Sequence, residues 1–216
     1  MFLSRPEALH PFSEKMAKDG YYFVAPLLLL AGAAFYFGFI PIGIVLFCLA
    51  LFVGLFFRDP DRRIPAESNA IVSPADGKIV RIEADEDGSM VSIFLSVFDV
   101  HVNRAPIGGV ITKRDHQKGS FLVAYDGRAS VENERLELCI TGDRELTFRL
   151  IAGIVARRIV VWKQQGERVE KGDRIGLIRF GSRVDIILPA GCKVGVKEGD
   201  RVSGGSSILA YWKDTR

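Results

Sequence analysis

The chain has 216 residues, room for one domain with an appendage, and its 29 basic and 26 acidic residues leave a net charge of only +3. The basic residues alternate with acids and form no aromatic-rich basic stripe, which argues against a nucleic-acid partner. Three cysteines without a CxxC pair argue against a disulfide framework and suit a reducing compartment, and no metal is expected.

In chain order, a short segment (residues 1–20) comes first and is expected to be cytoplasmic. From Tyr21 to Phe57 there are 37 residues without Asp, Glu, Lys or Arg. As one helix this run would be about 55 Å long, nearly twice a hydrocarbon core of about 30 Å. Pro41, flanked by Gly38 and Gly43, offers a place to reverse direction. Residues 21–57 are therefore expected to form a membrane helical hairpin, with spans at 21–37 and 42–57; each is short enough that a hairpin entering only one leaflet stays open. Arg5, Lys15 and Lys18 precede the run and Arg58, Arg62 and Arg63 follow it. By the positive-inside rule both ends lie on the cytoplasmic face of the cell membrane. The run is too long and starts too late for a secretory signal peptide. Residues 58–69 form a proline-stiffened linker whose arginines sit where anionic lipid headgroups would be.

From residue 70 to 216 the pattern shortens to strand-like runs broken by glycine and acidic turns. Strands are predicted at 77–82, 90–98, 110–113, 136–140, 146–151, 154–161, 174–179, 184–188 and 208–212, with no long amphipathic helix. A mostly β, antiparallel domain follows. Val169-Glu-Lys-Gly-Asp-Arg-Ile-Gly176 is echoed by Val196-Lys-Glu-Gly-Asp-Arg-Val-Ser203. Such paired repeats occur in biotinyl and lipoyl hybrid-barrel folds, so the domain is expected to be hybrid-barrel-like.

Several motifs carry candidate chemistry. Ser73-Pro-Ala-Asp-Gly77 is good turn chemistry and could equally fix the Asp76 carboxylate to orient a histidine. Phe94-Leu-Ser-Val-Phe-Asp-Val-His-Val-Asn-Arg-Ala-Pro106 reads as a strand running into a polar cluster, and period-2 alternation would put Asp99, His101 and Asn103 on one face. Glu83-Ala-Asp-Glu-Asp-Gly-Ser89 is acidic like a calcium loop but lacks the ligand pattern and terminal Glu, so a solvated hairpin turn is expected. His116 lies in a charged stretch and is expected to be exposed. Gly181-Ser182 falls in a strand–turn–strand stretch. Gly181 tolerates turn geometries closed to other residues and leaves its carbonyl open, so the Ser182 hydroxyl could add to it, convert the peptide bond to an ester and, after elimination and hydrolysis, leave an N-terminal pyruvoyl group. Most Gly-Ser pairs are plain turns, and Gly204-Gly-Ser-Ser207, read as a flexible turn, is a rival site. There is no P-loop, dinucleotide fingerprint, GxSxG or HExxH.

Taken together, Ser73-Pro-Ala-Asp-Gly77, the stretch from Phe94 to Pro106, Ile151-Ala-Gly153 and Lys171-Gly-Asp-x-Ile-Gly-x-x-x-Phe-Gly-Ser182 resemble the phosphatidylserine decarboxylases, in their short bacterial and archaeal form. The resemblance implies a pyruvoyl-dependent lyase that converts phosphatidylserine to phosphatidylethanolamine through a Schiff base with the lipid's amine. It implies self-cleavage between Gly181 and Ser182, giving chains 1–181 and 182–216 from one precursor, with the covalent pyruvoyl cofactor derived from Ser182. It also implies an Asp–His–Ser arrangement, onto which Asp76, His101 and Ser182 map. Longer members carry two histidines in Asp-Tyr-His-x-x-His. Here the second position is Arg104, which stays protonated and cannot act as a general base. Either His101 serves both maturation and turnover, or Ser182 is activated in another way. Arg104 and Asn103 are the candidates for holding the substrate. The partners implied are phosphatidylserine in its membrane and the two chains of the precursor, with a homodimer left open.

Two readings of other classes stand beside this one. The first is a membrane-anchored, non-catalytic β scaffold or carrier-like module, although Gly181-Ser182 occupies the turn where biotinyl and lipoyl families need a lysine. The second is a membrane-anchored serine hydrolase using Ser182 or Ser206 intact.

Overall fold

A computed structural model describes residues 16–119, 133–153, 159–178 and 182–213. They fall into two compact units, a helical one that runs to Gly54 and includes Arg58–Asp61, and a β unit built of Leu55–Phe57 and the described chain from Arg62 onward.

The helical unit is a hairpin of α1 (Lys18–Tyr36) and α2 (Ile40–Phe56), closed at its base by an antiparallel bridge between Met16 and Arg58. The reversal falls earlier than the proline suggested. Gly38 takes φ +78° at the end of α1, and the amides of Gly38 and Phe39 donate to the carbonyls of Phe35 and Ala34, the two bonds that close a helix with a left-handed residue. Pro41 is instead taken into the first turn of α2, where its missing N–H has no intrahelical partner to lose. Gly43 lies within α2, where a Cβ would come 2.5 Å from the Phe35 ring. Ala31 and Ala34 of α1 and Ala50 of α2 are buried, the small residues that let helices approach closely. By length and composition α1 can cross a membrane, whereas α2 is a shorter apolar helix of 17 residues.

The β unit is antiparallel throughout its named pairs. Among the described residues its strands are β1 (Ala70–Val72), β2 (Gly77–Ala84), β3 (Gly88–Leu95), β4 (Val102–Arg104), β5 (Gly109–Gln117), β6 (Arg135–Thr141), β7 (Glu145–Ala152), β8 (Ile159–Val161), β9 (Arg168–Val169), β10 (Arg174–Ile178), β11 (Ser182–Pro189), β12 (Cys192–Val194), β13 (Arg201–Val202) and β14 (Ile208–Trp212). The large sheet has the order β13-β2-β3-β11-β7-β6-β5-β9, and two three-stranded sheets have the orders β1-β14-β12 and β4-β10-β8. Val184, Ile186 and Leu188 of β11 join Ile79, Val91, Ile93, Leu138, Phe148 and Leu150 in one buried core. Period-2 alternation brings the Ser182 side chain to the same face as these three β11 residues.

The echoed repeats are two copies of one turn. Gly172 and Gly199 both have positive φ, +87° and +94°. Asp173 accepts from the Glu170 amide as Asp200 does from the Lys197 amide, each at 2.9 Å. The acidic stretch after β2 is a hairpin turn in which the Asp85 carboxylate accepts from the amides of Asp87 and Gly88. His116 is exposed and pairs with Glu134 at 2.9 Å.

Two expectations need correction. The strand predicted through residue 98 stops at Leu95, because Asp99 folds back to cap the turn: its amide donates to Ser96 O at 3.0 Å, and its carboxylate accepts from the Ser96 amide at 2.8 Å and hydroxyl at 2.7 Å. The shared face for Asp99, His101 and Asn103 therefore does not form. Nor does Gly204-Gly-Ser-Ser207 form a loose loop. Gly204 and Gly205 are buried, Gly205 N–H donates to Ser73 O at 2.7 Å, and the Ser207 carbonyl accepts from Ser73 N–H at 2.8 Å.

Candidate active site

Ser182 opens β11, paired with Leu95 of β3 on one side and Ala152 of β7 on the other. Its side chain is fully buried, and its hydroxyl has no hydrogen-bond partner among the described residues. A buried hydroxyl left without a partner costs on the order of 1–3 kcal/mol, so a group in this state needs a reason. Gly181, the other half of the expected scissile step, lies outside the described residues.

His101 leaves the capped turn that follows β3 and is buried at 2% exposure. Its Nδ1 lies 2.9 Å from the Asp99 carbonyl oxygen. A carbonyl can only accept, so Nδ1 carries the proton and Nε2 holds the lone pair of the neutral ring. The ring rests on Phe56, with centroids 4.1 Å apart. Phe56 and His101 both belong to the β unit. Asn103 and Arg104 follow on β4, both buried. Asn103 Nδ2 donates to His101 O at 3.1 Å, while its Oδ1 has no partner among the described residues. Arg104 Nη1 donates to Gly172 O at 3.1 Å, and its backbone amide donates to Pro74 O at 2.8 Å. The Pro74 bond ties β4 to the loop carrying Asp76.

Asp76 stands in a different setting from the one expected. Its two oxygens each accept from Arg62 Nη2 at 2.9 Å, and Oδ1 also accepts from Gly204 N–H at 2.7 Å. Its loop is stiffened by Ser73, whose hydroxyl donates to Ala75 O at 2.6 Å. Arg62, which the charge pattern assigned to lipid headgroups, is thus turned inward, with a side chain 11% exposed. Neither Arg62 nor Gly204 was singled out as a partner for Asp76. No local signal marks such a pairing, since the partners lie 14 and 128 residues away.

Directly after Ser182, Arg183 and Asp185 form an ion pair at 2.6 Å, with side chains 2% and 0% exposed. Arg183 also donates to Ser92 Oγ at 2.9 Å. Further along the sheet, Glu137 sits between Lys113 and Arg149, and its hydrogen bond from Lys113 above all holds its carboxyl below the usual range. A cavity of about 530 Å³ lined by Asn69, Arg144, Lys171 and Trp212, among others, includes none of Ser182, His101 or Asp76. Lys171 there donates to Glu67 O at 2.5 Å, and burial pushes its ammonium pKa down.

The family model described as phosphatidylserine decarboxylase matches residues 49–210. A phosphatidylserine decarboxylase proenzyme of Solibacter usitatus is 46% identical over 203 residues, 94% of this chain and 99% of that protein. The proenzyme of Symbiobacterium thermophilum is 44% identical over 90% of this chain and 94% of its own length. That of Paraburkholderia xenovorans is 40% identical over 93% of this chain and 97% of its own. With the model covering the whole stretch from the end of α2 to β14 and relatives aligned almost end to end, the chain belongs to the phosphatidylserine decarboxylase family.

Proposed function

We propose that this chain removes the carboxylate of phosphatidylserine as CO2 and leaves phosphatidylethanolamine, using a pyruvoyl group made from its own Ser182. The observation that carries this reading is the buried Ser182 hydroxyl, without a partner among the described residues, at the first position of a central strand. Such a residue suits attack on its own backbone, because no hydrogen bond among the described residues competes for its oxygen.

In maturation the Ser182 oxygen adds to the Gly181 carbonyl carbon as its proton passes to a base. The C–N bond of the adduct then breaks and the nitrogen takes up a proton, leaving an ester and a free amine. Loss of the residue-182 α-proton expels the Gly181 carboxylate. The enamine left behind tautomerises, and water replaces its nitrogen, which departs as ammonia. His101 is the base of choice, since its Nε2 holds the lone pair while Asp99 O fixes the ring through Nδ1. Asp76, held by Arg62 and the Gly204 amide, is the carboxylate of the Asp–His–Ser arrangement that the resemblance implies.

Once formed, the pyruvoyl group supplies a carbonyl electron sink for the pair released with CO2. His101 then returns a proton to the substrate α-carbon. Asn103, whose buried Oδ1 has no partner among the described residues, suits the lipid's amine, and Arg104 suits its carboxylate or phosphodiester. The apolar hairpin supports a membrane seat. Large apolar side chains are exposed on both helices, Leu29 at 76% and Val45 at 66%, a surface that marks lipid or partner contact. The flanking basic residues favour the cytoplasmic face.

Intact mass of the purified protein tests the reading. Fragments of residues 1–181 and 182–216 are expected, the smaller with a pyruvoyl-blocked end. Ser182→Ala is expected to fold, stay whole and form no phosphatidylethanolamine, while Ser206→Ala still splits. Decarboxylation by an unbroken Ser182→Ala chain would overturn the proposal.

A further inference from the structure

We infer that Arg62 is a positioning residue for self-processing. It holds the Asp76 carboxylate in place for that step, and this makes the segment leaving the helical hairpin a working part of the site. This rests on the reading of Ser182 as the residue that attacks its own backbone.

Three observations converge. The first is the depth of the pair, with side chains of Arg62 and Asp76 only 11% and 15% exposed. Exposed ion pairs contribute little and wander, whereas this one reaches both carboxylate oxygens from a single nitrogen. Arg63, the next residue, is exposed, so the inward turn is particular to Arg62.

The second is the count of lone pairs. A carboxylate offers about four acceptor positions. Among the described residues, Arg62 and Gly204 N–H take three of them, two on Oδ1 and one on Oδ2. One position on Oδ2 is left, so the carboxylate is restricted to a single further donor in a single direction.

The third is the seating of the segment itself. Ile64, two residues on, fills the space over two turn glycines. A Cβ on Gly172 would lie 2.3 Å from Ile64 Cδ1, and one on Gly205 would lie 3.2 Å from it and 3.0 Å from Arg104 Cδ. The Gly205 turn also follows the Gly204 amide that binds Asp76. Residues 62–64 therefore pack against the turns that hold both Asp76 and Arg104. Arg62 acts on the chemistry through Asp76 rather than touching the reacting atoms.

The test follows conversion of freshly made full-length precursor to fragments by denaturing gel and intact mass. The chains compared are wild type, Arg62→Ala, Arg62→Lys, Arg63→Ala, Asp76→Asn and the Arg62→Ala/Asp76→Asn double variant. Arg62→Ala is expected to slow splitting on the order of 100-fold, the loss that follows from small misplacement of a catalytic group. Arg62→Lys recovers part of the rate, since it keeps the positive charge but not the planar guanidinium's fixed geometry, and Arg63→Ala splits like wild type. The double variant is no slower than Asp76→Asn alone, because Arg62 has nothing left to position. Splitting of Arg62→Ala within roughly threefold of wild type overturns the inference, as do losses that multiply in the double variant; both limits use the same non-additivity logic. Should Arg62→Ala prove unfolded by circular dichroism, Arg62→Gln takes its place under the same criteria. A wild-type chain that never splits removes the reading of Ser182 itself. A wild type that splits beside an equally fast Arg62→Ala removes only the role of Arg62.

Discussion

Ser182, His101 and Asp76 are prepared in three different ways. The serine's hydroxyl has no partner among the described residues, the histidine's Nδ1 is held by a backbone carbonyl, and the aspartate is clamped by an arginine and an amide. In the proposed mechanism the histidine is the least replaceable of the three, because Arg104 stands where a second imidazole would be and cannot accept a proton. His101→Ala is therefore expected to abolish splitting, turnover or both, read by fragment formation and by phosphatidylethanolamine produced per processed chain. A His101→Ala protein that splits and turns over at wild-type rates would show that neither proton transfer uses this ring.

At the scale of elements, β11 presents apolar residues to the core and a buried charge pair on its other face. Replacing one member of such a pair strands the other charge without solvent, at a cost of about 3–5 kcal/mol, whereas apolar replacement of both is often tolerated. Arg183→Met should fall in that range in chemical denaturation, and Arg183→Met/Asp185→Leu should recover most of the loss. An Arg183→Met protein as stable as wild type would mean that neither the ion pair within β11 nor the Arg183 bond to Ser92 of β3 stabilises this face. Strands with several turns of alternation, such as β2, β6, β7 and β11, were legible because a buried face imposes its period on the residues. β1, β4, β9 and β13 are two or three residues long, too short to show any period. The alternation at Asp99 misled because side-chain capping of Ser96 outcompetes extension there. Arg62 and Arg183 look like surface charges in one dimension, since burial depends on partners the local pattern does not display. Ser182, His101 and Asp76 were legible only as motif members; what the fold adds is the seat of each, on β11, in the capped turn after β3, and in the loop tied to β4 through Pro74 O.

At the scale of the whole molecule, the proposed cut falls at the start of a strand hydrogen-bonded on both sides. The fragment beginning at Ser182 would carry β11, which lies between β3 and β7, β13, which pairs with β2, and β14, which pairs with β1. Both fragments are expected to elute as one particle under native conditions and to separate only in denaturant. A small fragment eluting alone from native size-exclusion chromatography would contradict this.

The pairing of β1 with β14 also has a bearing on timing. β1 runs straight into the Ser73–Gly77 loop, and the Gly204 amide and the Ser207 carbonyl that secure this loop are made well after Ser182. A nascent polypeptide emerging from the ribosome would hold its scissile bond long before it could assemble the aspartate beside it. Activation would then wait until the residues of β14 had been translated, by which stage the apolar helices would have had their chance to find the lipid.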